Sequence, residues 1–141
     1  MLPAACVQDL HGYEGQELAY PSVSAWCDIL ENRKVDVVEI ESPGTFGLLA
    51  LATSLAMGIP VVQNYRTDLL AYTSMLLPNP LFVEWLHWFI RSFLRAGGRV
   101  VVPSLAFQEE AVAMGIPRTR IHRVPRGVDL SRFQPGLARL G

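Results

Sequence analysis

The sequence predicts an α/β fold: a Rossmann-like parallel sheet with helices on both faces. Three observations carry this reading. Strand-like runs at residues 35–40, 60–65, 99–102 and 121–124 alternate with helical stretches, which is the signature of βαβ units. The string Ala56-Met57-Gly58-Ile59-Pro60 returns as Ala113-Met114-Gly115-Ile116-Pro117, and both copies lead into a strand. Each is a helix C-cap followed by a proline that cannot continue the helix. The chain has 141 residues, half of them apolar, enough for one domain with its own core and no metal or disulfide staple.

Taken in order, residues 1–21 carry little pattern. Gly12, Gly15 and Pro21 punctuate them, and only residues 17–20 read as a short strand. Val23, Trp26, Cys27 and Leu30 fall on one helical face, predicting a helix that ends near Asn32. The run 35–40 follows and Ser42-Pro43-Gly44 breaks it. Residues 45–57 form a helix apolar nearly all round, hence buried, with Gly58 as its C′ residue. After the strand 60–65, Arg66-Thr67-Asp68 turns, and Asp68 N-caps a short helix to about Met75. Pro78-Asn79-Pro80 interrupts, and a long aromatic helix spans 81–95 before Gly97-Gly98. The strand 99–102 leads to a helix from Ser104 that Gly115 ends. The strand 121–124 precedes a loop with a helical turn at 130–133.

Composition narrows the function. Charged residues are 18% of the chain and the net charge is −1, so a nucleic-acid partner, which needs a basic excess, is disfavoured. Cys6 and Cys27 are too few for a disulfide scaffold and read as reduced thiols of a cytoplasmic protein. The N-terminus lacks the basic region of a secretory signal. His11, His87 and His122 have no zinc-ligand spacing, with or without the cysteines. The helix 81–95 spans about 22 Å, short of a bilayer. Lying on a membrane surface is the disfavoured alternative, because Arg91 and Arg95 alone supply positive charge. Its aromatic face packs on the sheet or on a partner, and the mean hydropathy of +0.26 points to self-association, with a two-fold dimer as the usual outcome.

Open parallel sheets bind ligands at the carboxyl ends of their strands. Glu41, Ser42 and Gly44 follow the first clear strand, and the segment is either a plain turn or an anion-accepting loop. Tyr65, Arg66 and Asp68 follow the next; Arg66 is either a ligand contact or an ion-pair partner of Asp68. Ser104 follows the third and is either an N-cap or a ligand contact. Gly-x-Gly-x-x-Gly, the P-loop pattern and the Gly-x-Ser-x-Gly elbow are all missing. Asp36, Glu39, Glu41 and Asp68 do not form a convincing acid/base pair.

The order of five motifs resembles the family-4 glycosyltransferases of GT-B fold. They are residues 35–44, 58–62, Tyr65-Arg66-Thr67-Asp68, Val101-Val102-Pro103-Ser104 with Gly115-Ile116-Pro117, and Ile121 to Phe133. The last, containing Val124-Pro125-Arg126-Gly127-Val128-Asp129, is similar to the stretch that closes the family's N-terminal domain. The resemblance implies an acceptor-side domain over residues 1–135, incomplete at its start because the family's opening strand and Gly-Gly loop are not found. Residues 136–141 would lead to a donor domain that this chain does not hold. It also implies a parent enzyme that moves a sugar from a nucleotide-sugar to an acceptor hydroxyl, without a metal or other cofactor, and an isolated chain that is inactive. In that scheme Arg66 and Asp68 line the sugar end of the cleft. Ser42 and Gly44 lie beneath the acceptor or a donor phosphate, and Arg126 and Gly127 sit at the hinge. Three positions depart from the family pattern: Glu41 and Arg66 replace histidines, and Arg126 replaces an asparagine. The rival reading is a non-catalytic α/β module that oligomerises. A weaker third is a nucleotide-binding domain of unrelated function.

Overall fold

The computed structural model describes residues 4–9, 17–127, 129 and 131. Its elements run β1 (Ala4–Asp9), β2 (Glu17–Pro21), α1 (Val23–Asn32), β3 (Val38–Ile40), α2 (Thr45–Met57), β4 (Val61–Asn64), α3 (Leu69–Leu76), α4 (Pro80–Ala96), β5 (Arg99–Val102), α5 (Leu105–Ala113), a 3-10 turn (Arg118–Arg120) and β6 (Ile121–Arg123). β3, β4, β5 and β6 form a parallel sheet in that spatial order. The expected Rossmann-like α/β class is therefore the observed one. β1 and β2 make a separate antiparallel pair. β1 had no signal in the sequence, since Ala4 and Ala5 are not strand formers and the pairing with β2 supplies the reason for extension.

Strand β3 is shorter than the predicted run 35–40, and its partner explains why. The ladder begins at Val38↔Val61, with Val38 N–H donating to the carbonyl of Pro60. Pro60 has no N–H to extend the pairing backwards. Lys34, at φ 48, instead turns the chain out of α1, and Val35 N–H donates to Leu30 O. The two sheet faces differ among the described residues. Val38, Ile40, Val61, Gln63, Val100, Val102 and Ile121 share one face by register and are buried. Glu39, Arg99 and His122 share the other and are exposed.

The helix ends follow local chemistry. Gly58 closes α2 in the left-handed conformation at φ 69. Asn79 accepts from Leu81 and Phe82 N–H, which starts α4 with Pro80 at its first position. His87 Nε2 lies 3.0 Å from Leu70 O and 3.1 Å from Thr73 Oγ1, tying α4 to α3. At the other end of α4, the Arg120 guanidinium donates to the carbonyls of Leu94, Arg95, Gly97 and Gly98. The Leu94 and Arg95 carbonyls are orphan acceptors of the helix C-terminus, and those of Gly97 and Gly98 follow it in the chain. A side chain at Gly97 would overlap Gln63, whose Nε2 donates to Phe93 O at 2.7 Å. Of the predicted helical turn at 130–133, only Ser131 is described. Its N–H and hydroxyl both donate to Asp129 Oδ1. The expected tail at 136–141 lies outside the described residues.

Candidate functional site

Where β3 and β4 end, the chain opens a pocket of about 80 Å³. One wall is polar: Glu41 and Ser42 after β3, then Asn64, Arg66 and Thr67 at the end of β4. The other is apolar, with Leu69 at the start of α3 and Ile90, Phe93 and Leu94 from α4. The wall exists because Gly47 lets α2 begin against the end of β3. A Cβ at Gly47 would overlap the Ser42 carbonyl and press on Ile40. That glycine was not singled out in the sequence, although a glycine in the first turn of an apolar helix is the available signal.

A compact charged cluster runs from the exposed sheet face to the polar wall, where Glu41, Asn64 and Arg66 line the pocket and Glu39 stands outside it. Glu39 and Glu41 are two residues apart on an extended segment, so they face the same side. Asn64 Nδ2 donates to Glu39 Oε1 at 2.5 Å and to Glu41 Oε1 at 2.9 Å. Arg66 Nη1 donates to Glu41 Oε1 at 3.2 Å, and its Nη2 lies 4.0 Å from Glu39 Oε1. The Asp68 ion pair considered for Arg66 is thus replaced by one with Glu41 and Glu39. Asn64 was missed in the sequence, and Glu39 was named there but not paired with Glu41, because the link between the carboxylates comes from a neighbouring strand. Asn64 is 6% exposed, and its Oδ1 is buried with no hydrogen-bond partner.

Of the other candidates, Tyr65 also lines the pocket and the rest do not. Tyr65 is buried at 2% exposure. Its hydroxyl donates to Glu110 Oε1 at 2.8 Å, and its ring meets Phe107 edge-on at 5.4 Å. Burial first, and then the neighbouring carboxylates, hold the phenol protonated far above its ordinary range. Burial likewise pushes the Glu110 carboxyl up; the Tyr65 hydrogen bond opposes this and Asp68 adds to it. Asp68 N-caps α3 by accepting from Ala71 N–H at 2.8 Å and does not line the pocket. Ser104 N-caps α5 through Phe107 N–H at 3.4 Å and also stands outside the pocket. Gly44 N-caps α2 beside Ser42. Arg126 and Gly127 are exposed beyond β6, away from the pocket wall. Among the described residues no group of three or more His, Cys, Asp or Glu side chains could hold a metal ion, and no helix is long and apolar enough to cross a membrane.

The sequence matches the profile of Glycosyltransferase Family 4 over residues 7–132, nearly the whole chain. The chain belongs to glycosyltransferase family 4. It is similar to a GDP-mannose-dependent alpha-mannosyltransferase of Mycobacterium tuberculosis (strain CDC 1551 / Oshkosh). The two are 39% identical over 101 residues, which cover 71% of this chain and 26% of that protein. A protein of the same description from Mycolicibacterium smegmatis is 30% identical over 107 residues, 76% of this chain and 28% of its own length. The alpha-monoglucosyldiacylglycerol synthase of Streptococcus pneumoniae is 22% identical over 128 residues, 86% and 28% respectively. The family-4 chain therefore spans about a quarter of the length of these curated relatives.

Proposed function

We propose that this family-4 chain forms acceptor-side structure of a glycosyltransferase that moves mannose from GDP-mannose to an acceptor hydroxyl. The observation that carries the reading is the 39% identity to a GDP-mannose-dependent alpha-mannosyltransferase. The pocket at the carboxyl edge of the sheet supports it, because open parallel sheets receive ligands there. Glu41 accepts a hydrogen bond from the acceptor hydroxyl, and Arg66 donates to its oxygen. Arg66 orients and does not act as a base, since a guanidinium keeps its proton at neutral pH. Asp68, given a share of the sugar end in the sequence reading, serves α3 as its cap. The chain by itself transfers no sugar, because transfer needs both reactants held together. The test is a chimera in which this chain replaces the matched segment of the Mycobacterium tuberculosis relative. The expected result is mannose transfer from GDP-mannose by the chimera and none by the 141-residue chain. A folded chimera that transfers no mannose overturns the acceptor-side assignment. Turnover by the short chain overturns its dependence on a second half.

A second reading, self-association, rests on a separate surface. Tyr72, Met75, Leu81, Trp85 and Trp88 on α3 and α4 are exposed, Met75 by 84% and Trp88 by 64%. Phe82, Trp85 and Phe89 stack in sequence along α4 at 5.7 and 5.8 Å. Exposed large apolar side chains of this kind are what two copies would bury. Light scattering at about 50 µM, a working concentration for weak dimers, should give a dimer that Trp88→Glu converts to monomer. A monomeric wild type overturns this reading.

A further inference from the structure

We propose that the Glu39–Asn64–Glu41–Arg66 cluster selects a neutral, polyhydroxylated acceptor ring and turns away phosphorylated ones; the inference rests on the acceptor reading above. The charges give the first reason. Arg66 supplies the positive charge on the pocket wall, and two carboxylates already meet it. Two negative charges against one positive leave the cluster at −1. Behind the wall, the carboxyl of Glu110 lies on the Tyr65 hydroxyl and Asp68 is close enough to raise the Glu110 pKa, so further carboxyl groups stand on that side. A phosphate oxygen that recruits Arg66 must draw it off Glu41 and then sit beside that carboxylate. Asn64 prevents the carboxylates from swinging aside, because its Nδ2 is bonded to both.

Hydroxyl groups meet no such obstacle. A carboxylate offers about four acceptor sites and a guanidinium five donors. Glu41 uses Oε1 for both Asn64 and Arg66, and its Oε2 takes no hydrogen bond among the described residues. Adjacent hydroxyls can donate to Glu41 and accept from Arg66 while the ion pair stays in place. The second reason is Asn64 itself. Its Oδ1 is an unmet buried acceptor on a residue of the pocket wall. A ring hydroxyl offers that residue a donor, whereas the dianion of a phosphate monoester offers only acceptors. The third is the opposite wall, where Ile90, Phe93 and Leu94 present hydrocarbon. A saturated ring with hydroxyls on its edge and C–H groups on its face matches one polar wall and one apolar wall.

The experiment is a ¹⁵N NMR titration of the 141-residue chain at pH 7 with methyl α-D-glucopyranoside, with glucose 6-phosphate and with inorganic phosphate. The glycoside should move the Asn64 Nδ2 and Arg66 Nε signals and bind at least roughly fivefold more tightly than the phosphate ester, the scale of one partly screened unit charge at contact. Glu41→Gln removes one negative charge without changing shape. It should weaken the glycoside and strengthen the ester, so that the ratio falls to about one or below. Retention of the core methyl signals shows that this variant is folded. Tighter binding of the ester by the wild type, or an unchanged ratio in Glu41→Gln, overturns the neutral-acceptor inference and leaves the glycosyltransferase reading standing. Failure of every probe to move the Asn64 and Arg66 signals overturns the acceptor pocket itself, and the inference with it.

Discussion

The two ends of the four-stranded sheet use arginine in opposite ways. At the amino end, Arg120 spreads its guanidinium over four backbone carbonyls at the close of α4. At the carboxyl end, Arg66 meets two exposed carboxylate side chains at 3.2 and 4.0 Å. Its partners are fixed backbone acceptors, so Arg120 is committed to architecture. The carboxylates are water-exposed and keep acceptor sites open, so Arg66 and its partners can take a ligand hydroxyl. The hollows differ in the same sense. The one at the amino end is larger, about 270 Å³, but carries no charged side chain among its lining residues. The smaller one at the carboxyl end has Glu41 and Arg66 on its wall. Size does not mark the candidate site; polar groups that can take a ligand hydroxyl do.

The sharpest way to break this contrast is to remove each arginine. Arg66→Ala in the mannosyltransferase chimera should cost about 100- to 1000-fold in kcat/KM, the range for losing a charged transition-state contact. The melting temperature should barely move, because exposed ion pairs contribute about 0–1 kcal/mol. A parallel fall in both would make Arg66 structural. Arg120→Ala should do the reverse. Urea denaturation should show a loss of about 2 kcal/mol, the scale of charged hydrogen bonds withdrawn from helix-end carbonyls. The NMR response of Asn64 to glycoside should persist. If stability is unchanged, water replaces the guanidinium at no cost and the contrast fails.

Smaller effects sharpen the boundary between site and scaffold. Ser104→Ala should cost about 1 kcal/mol as a lost N-cap and leave ligand binding intact. Weakened binding at unchanged stability would return Ser104 to the site. The smallest effect is a slope. Burial raises the Glu110 pKa in the folded chain above its unfolded value, so the folded state holds its proton to higher pH. Stability is then fullest below the ordinary glutamate pKa and declines as pH rises through the folded value, the reverse of a salt-bridged carboxylate. Denaturation midpoints between pH 4 and pH 8 should show this decline, and Glu110→Gln should flatten it. An identical slope in the variant would place the titration elsewhere.

Much of the architecture was legible because it depends on short-range chemistry. Gly58, Asp68 and Ser104 act as the helix caps expected of them. Asn79 with Pro80 begins α4 where the break was read. The strands β4, β5 and β6 fall within the predicted runs. What failed was whatever needed a partner from afar. β3 lost residues 35–37 to the proline at the start of its neighbour, and β1 gained a strand from pairing alone.

The site divides along the same line. By itself the sequence determined the alternation of strands and helices, and so which segments end at the carboxyl edge. Periodicity, caps and breakers act over a few residues and can be read in one dimension. The family resemblance also lay in that linear order. Only the tertiary structure decided which side chains share the pocket. It kept Glu41, Ser42, Tyr65 and Arg66 and gave Asp68 and Ser104 to helix caps. It also brought in Asn64 from a neighbouring strand, in contact with Glu39 and Glu41 across 25 and 23 residues of sequence. Such contacts depend on strand register and on the reach of a side chain, and neither quantity is written in the local pattern of residues.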